Sequence, residues 1–97
     1  MNIVQEAIAG TLESSDLMVK VSPSSEQLQI IIKSEVIKQF GDQIKAVVNH
    51  ELKQLGVTEG LILIEDKGAL DCVIRARVQS AILRAAKSDA LNWEVLL

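Results

Sequence analysis

The stretch AGTLESSDLMVKVS, Ala9 to Ser22, decides the fold, because a short polar turn gives way there to a strict alternation. Leu17, Val19 and Val21 alternate with Met18, Lys20 and Ser22, the period of two expected of a strand buried on one face. Upstream, IVQEAIAG (Ile3 to Gly10) is mixed and rich in small residues, so the two segments predict a β-hairpin whose tip carries Glu13, Ser14, Ser15 and Asp16. Ser, Asp and Gly recur in turns for backbone reasons, and that alone accounts for a tip of this composition.

Downstream, PSSEQ at Pro23 to Gln27 predicts a break after the second strand, and Leu28, Ile30 and Ile32, alternating with Gln29 and Lys33, predict a third. From Glu35 the period changes. Ile37, Phe40, Ile44, Val47, Val48 and Leu55 recur at three and four residues, giving a helix with one apolar face, Ser34 as its N-cap and Gly56 as its C′ residue. Gly41 lies inside that pattern at a cost of about 1 kcal/mol relative to Ala, which calls for close approach of another element or a local break. LILIE, Leu61 to Glu65, predicts a strand covered on both faces or central in a sheet. From Ala69 a second helix is marked by Leu70, Val73, Ile74, Ala81, Ile82 and Ala85, with Arg75, Arg84 and Lys87 on its outer or flanking faces.

A strand, a helix and a further strand form a crossover unit, so the third and fourth strands should run parallel. The expected fold class is therefore α+β: a two-layer sandwich with a mixed four-stranded sheet, an N-terminal β-hairpin followed by β-α-β-α, and two helices on one face. The tail ALNWEVLL, Ala90 to Leu97, alternates Leu91, Trp93, Val95 and Leu97, and either packs back on the core or anchors the chain to a larger partner.

Composition narrows the function. With 97 residues, 48% of them hydrophobic and 24% charged, the chain suits one domain over residues 1–97. A net charge of −3, no run of Lys or Arg and aromatics limited to Phe40 and Trp93 disfavour nucleic-acid binding. No apolar run is long enough to cross a bilayer, and the first basic residue is Lys20, so neither a membrane partner nor a secretory signal is expected. The single Cys72 forms no internal disulfide, in keeping with a cytoplasmic location, and its helical pattern beside Val73 predicts a buried structural thiol. Cys and His spacing offers no metal site, and neither a nucleophile elbow nor a phosphate-cradling glycine loop is present.

Four stretches taken together carry more. AGTLESSD, KQFGDQI (Lys38 to Ile44), DKGALDCVIRARV (Asp66 to Val78) and ALNWE (Ala90 to Glu94) resemble, in order and at compatible spacing, the landmarks of the citrate lyase acyl carrier protein, or gamma subunit, family, over most of the chain. The resemblance implies a non-catalytic carrier whose serine is joined by a phosphodiester to 2'-(5''-phosphoribosyl)-3'-dephospho-coenzyme A, covalently bound, with acetyl and citryl units on its thiol. Ser14 is the matching attachment residue, since it alone follows Glu as in the family's GTLES pattern; the next residue, often Gly in the family, is Ser15 here. The partners so implied are the citrate lyase alpha subunit, which exchanges citrate for acetate on the carrier, and the beta subunit, which cleaves the citryl carrier to oxaloacetate. A prosthetic-group transferase and a carrier-acetylating ligase complete the set. The acyl carrier subunit of malonate decarboxylase, and an unmodified small α+β regulatory or assembly module, are the rivals.

The residues themselves agree with a passive attachment point. Serine is a weak nucleophile that needs a nearby base, and the one histidine, His50, lies far along the chain in a helical pattern, so a separate transferase must supply that base. A free-standing serine hydrolase lacks its histidine for the same reason. Asp16 is placed either to orient the turn by accepting backbone hydrogen bonds or to serve as an ordinary turn residue. Lys67, Arg75 and Arg77 are candidate phosphate contacts or simply solvated surface.

Overall fold

The structure, a computed structural model, describes residues 1–34 and 37–86, with the backbone alone for 37–40. The tail from Ala90 to Leu97, expected to pack on the core or anchor a partner, and Lys87 of the second helix lie outside the described residues. Six elements follow one another: β1 (Ala7–Gly10), β2 (Leu17–Gln27), β3 (Gln29–Ser34), α1 (Ile37–Gln54), β4 (Glu59–Asp66) and α2 (Asp71–Ala85). The sheet order is β1-β2-β4-β3, with β1 and β4 antiparallel to β2 and β3 parallel to β4. This is the expected mixed sheet, hairpin first, with LILIE as a central strand.

The alternation in β2 has its anticipated consequence. Leu17, Val19 and Val21 are fully buried, and Ile62 and Ile64 of β4 lie beside them on the same face, where Val21 pairs with Ile62 and Val19 with Ile64. The helices bring matching stripes: Ile44, Val48, Leu52 and Leu55 from the α1 region, and Ile74, Val78, Ala81, Ile82 and Ala85 from α2. Leu52, absent from the expected apolar set, is 1% exposed. The opposite face carries Ile8, Lys20, Leu63 and Ile31 in one cross-strand row.

Gly56 ends α1 as anticipated: its φ is +69, its N–H reaches the Lys53 carbonyl at 3.1 Å, and the Val57 N–H reaches that of Leu52 at 2.9 Å. These two bonds form a Schellman motif. The helix runs unbroken through Gly41, so the local break considered for that position does not occur.

Four expectations require correction. PSSEQ does not end β2, which continues to Gln27; the β2–β4 register shifts between Ser22 and Gln27, and a proline without an N–H is tolerated at such an irregularity. Ser34 is the last residue of β3, and its hydroxyl donates to Asp66 Oδ2 at 2.9 Å, so the expected N-cap belongs to the sheet. The second helix begins at Asp71, later than expected: Leu70 is its extended N-cap residue, ahead of the first turn, and is 70% exposed. Cys72 is exposed, not buried. It lies two positions before Ile74, and about 200° of helical rotation turns it out of the buried stripe.

Candidate functional site

The tip between β1 and β2 is built from backbone requirements first. Gly10 leaves β1 with φ +93, and a Cβ there would overlap the Leu17 carbonyl oxygen. That carbonyl accepts the Thr11 N–H at 3.2 Å and closes the mouth of the turn. Beyond it, Asp16 N–H donates to the Glu13 carbonyl at 3.2 Å, making Ser14 and Ser15 the two corner residues of a β-turn. Ser15 has φ +64, the left-handed conformation that the second corner of a type II turn ordinarily assigns to Gly or Asn. Ser15 thus adopts a backbone conformation that suits Gly.

Asp16 is the keystone of this turn. Its Oδ1 accepts the Leu17 N–H at 2.7 Å and its Oδ2 accepts the Thr11 hydroxyl at 2.7 Å, while Thr11 Oγ1 in turn accepts the Glu13 N–H at 3.2 Å. Arg77, on α2, grips both oxygens, Nε to Oδ1 at 3.1 Å and Nη2 to Oδ2 at 3.0 Å, in the paired geometry that a planar guanidinium favours. Of the two roles open to Asp16, organising the turn is the one observed. The Arg77 guanidinium, then the Thr11 hydroxyl and the Leu17 amide, hold the Asp16 carboxyl down at about 2 from its usual 3.8.

Because the folded value is the lower one, the ionised carboxylate stabilises the native state. That contribution is complete above the ordinary value of 3.8 and is lost as pH falls through about 2. The Asp16 side-chain carbonyl carbon should accordingly titrate by NMR with a midpoint near 2. In Arg77→Met, which removes the first cause, the midpoint should move up toward the usual carboxylate range; a midpoint unchanged by that substitution would contradict the assignment.

The tip is also tied to the scaffold through main chain. Ser15 N–H donates to the Lys67 carbonyl at 2.8 Å, and Lys67 N–H donates to the Asp16 carbonyl at 2.9 Å. GTLESSD and DKGALDCVIRARV, separated by fifty-odd positions, thus meet in space at two points, Lys67 and Arg77. Arg77, a candidate phosphate contact from sequence, is the clasp on Asp16; no periodicity or local spacing signals a pair 61 residues apart. Arg75 is exposed elsewhere on α2, and His50 is exposed on α1, which packs on α2 and β3. With Leu12, Glu13, Ser14 and Ser15 exposed, the hydrogen bonds of the turn fall on Thr11, Glu13, Ser15 and Asp16. The arrangement leaves Ser14 exposed at the corner of a turn that its neighbours' hydrogen bonds hold.

A family model described as the malonate decarboxylase delta subunit, an acyl carrier protein, matches residues 4–85. The citrate lyase acyl carrier protein of Pectobacterium atrosepticum is 65% identical over 96 residues, covering 99% of this chain and 100% of that one. Its counterpart in Enterobacter sp. is 66% identical over 93 residues, or 96% of either chain, and that of Haemophilus influenzae 53% identical over the full length of both. Among solved structures, a chain of a Pseudomonas malonate decarboxylase hetero-tetramer in complex with malonate superimposes with a TM-score of 0.73 at 22% identity, covering 88% of this chain and 92% of that one. At that identity the likeness is one of fold.

Proposed function

The chain belongs to the citrate lyase acyl carrier protein family, and from that premise we propose that Ser14 is its attachment residue and that the chain acts as one carrier domain. The observation that carries the assignment is the exposed Ser14 corner, held from below by Asp16 and Arg77, beside a Ser15 whose amide is already bonded to Lys67. The group proposed there is a phosphoribosyl dephospho-coenzyme A joined by a phosphodiester, whose thiol supplies the acetyl and citryl thioester chemistry. The residues fit such a load: the alcohol is open to solvent, and the bonds that hold the turn use the side chains of Thr11 and Asp16 and leave the Ser14 oxygen to the incoming phosphate.

The carrier role needs no catalytic group from this chain. Its task is to hold the attachment point rigid and clear, so that two partner enzymes, the alpha and beta subunits of the lyase, meet the load at a high effective concentration set by a tether. A transferase that installs the group and a ligase that acetylates it are the further partners, and the cytoplasm is the proposed location. No helix of the described residues is long and apolar enough to cross a membrane.

The family-model description favours a second reading, a carrier for malonate decarboxylase. Against it stands the 65% identity to a citrate lyase carrier over essentially the whole chain. One measurement tests the assignment: intact mass of the protein from its own cells, followed by fragmentation across the first twenty positions. A single covalent addition on Ser14 is expected. A mass equal to that of the bare chain, or an addition on Ser15, would overturn it.

A further inference from the structure

A cleft of about 700 Å³ opens between α1, the β4–α2 connection and the first turn of α2, a size within the roughly 300–1,000 Å³ of small-molecule sites. Its walls are apolar, formed by Ile44, Ala69, Leu70 and Ile74. Leu70, 70% exposed, sits on its rim, where a large aliphatic side chain has no packing role in the fold already described. The cleft is braced: Asp66, 2% exposed, accepts the Ala69 N–H and the Ser34 hydroxyl, each at 2.9 Å, and Gln43 reaches from α1 to the Asp71 carboxylate at 3.3 and 3.4 Å.

Its position ties it to the attachment turn. Lys67, bonded to Ser15 and Asp16 through its main chain, is covalently next to Asp66 and Gly68, both of which line the cleft. From Lys67 the chain reaches Cys72, also on the lining, over at most about 18 Å even if fully extended. Anything tethered to Ser14 by a coenzyme-length chain therefore spans the gap. Asp71, half-buried on the lining, offers a hydrogen-bond acceptor and Asp66 behind it is taken up by the fold, so the cleft suits a chain that brings amide N–H donors and no negative charge.

We propose that this cleft is the resting site of the uncharged, amide-bearing thiol end of the arm held at Ser14. The inference rests on the Ser14 reading above. In the resting position the arm covers the Leu70 side chain and places its thiol beside Cys72, withdrawn from solvent until a partner enzyme draws it out.

The test uses the natural, modified protein with its thiol free, and starts from intact mass; an unmodified chain at this point counts against the attachment reading and not against the cleft. The modified protein, dilute, is then treated with oxidised glutathione. The expected product is an internal disulfide between the arm and Cys72, two hydrogens lighter and still monomeric, those two hydrogens having reduced the reagent to two glutathione molecules. Cys72→Ser should give none of it. Leu70→Asp separates residence from chance collision, since Asp is a favoured N-cap and preserves α2 while adding a charge to the rim. Residence predicts closure slowed roughly tenfold or more by that charge. Closure at an unchanged rate in Leu70→Asp, or only mixed disulfides with glutathione in the unaltered protein, would overturn the proposal.

Discussion

Ser14→Ala is expected to remove the covalent addition completely, and with it all turnover that passes through the carrier, while changing stability by no more than about 0.5 kcal/mol. The side chain is exposed, and the hydrogen bonds that hold the turn come from its neighbours, so nothing in the fold depends on the hydroxyl. Ser15→Gly should do the opposite. Ser15 pays for a left-handed φ of +64 at a cost of roughly 1–2 kcal/mol, of which Gly recovers all but its own loss of about 0.5–1 kcal/mol in chain entropy. A small net gain in melting temperature with the added mass intact is the expected result. Intact mass and a thermal melt of each variant, produced alongside the transferase, give both readouts. Addition persisting at full stoichiometry in Ser14→Ala would place the attachment on another residue, Ser15 first, and remove the basis of the Ser14 assignment.

The alternation of β2 and the covered helix faces were legible because each rests on a period of two or of 3.6 that survives into the structure, and the parallel β3–β4 pair because a strand–helix–strand connection imposes it. Where local chemistry misleads, a specific geometry overrides it. Pro23 reads as a strand end only if the ladder needs its missing N–H, and the register shift beside it removes that need. Cys72 reads as buried by its apolar neighbour Val73, yet adjacent helical residues point about 100° apart. Leu70 fits an apolar stripe on paper and precedes the helix in fact. The attachment turn was recognisable by its wording, whereas its support was not. Asp16 and Arg77 belong to different layers, and only the folded chain sets the guanidinium across both carboxylate oxygens. The left-handed φ of Ser15 was not legible, since nothing in the wording of the turn fixes which corner residue takes it.

Gly10→Ala is expected to be the most damaging single exchange in the tip, lowering stability by roughly 2–4 kcal/mol and the melting temperature by about 10–25 °C for a chain of this size. Two effects add. The backbone sits at φ +93, where an L side chain is strained, and the new Cβ overlaps the Leu17 carbonyl that accepts the Thr11 N–H. Relief requires the strands to part at the mouth of the turn, and the Arg77 side chain, whose Cδ would stand 3.3 Å from that Cβ, must shift from its path to Asp16. Gly68 supplies the control, because it has the same φ of +93 with nothing within 4 Å of an added Cβ. Gly68→Ala therefore reports the conformational penalty alone, roughly 1–2 kcal/mol, and the excess in Gly10→Ala measures the collision. The same displacement should weaken the Arg77 grip and raise the Asp16 carboxyl from about 2. If Gly10→Ala and Gly68→Ala melt alike and Asp16 still titrates near 2, the close approach of β1 to Leu17 does not set the geometry of the carrier tip.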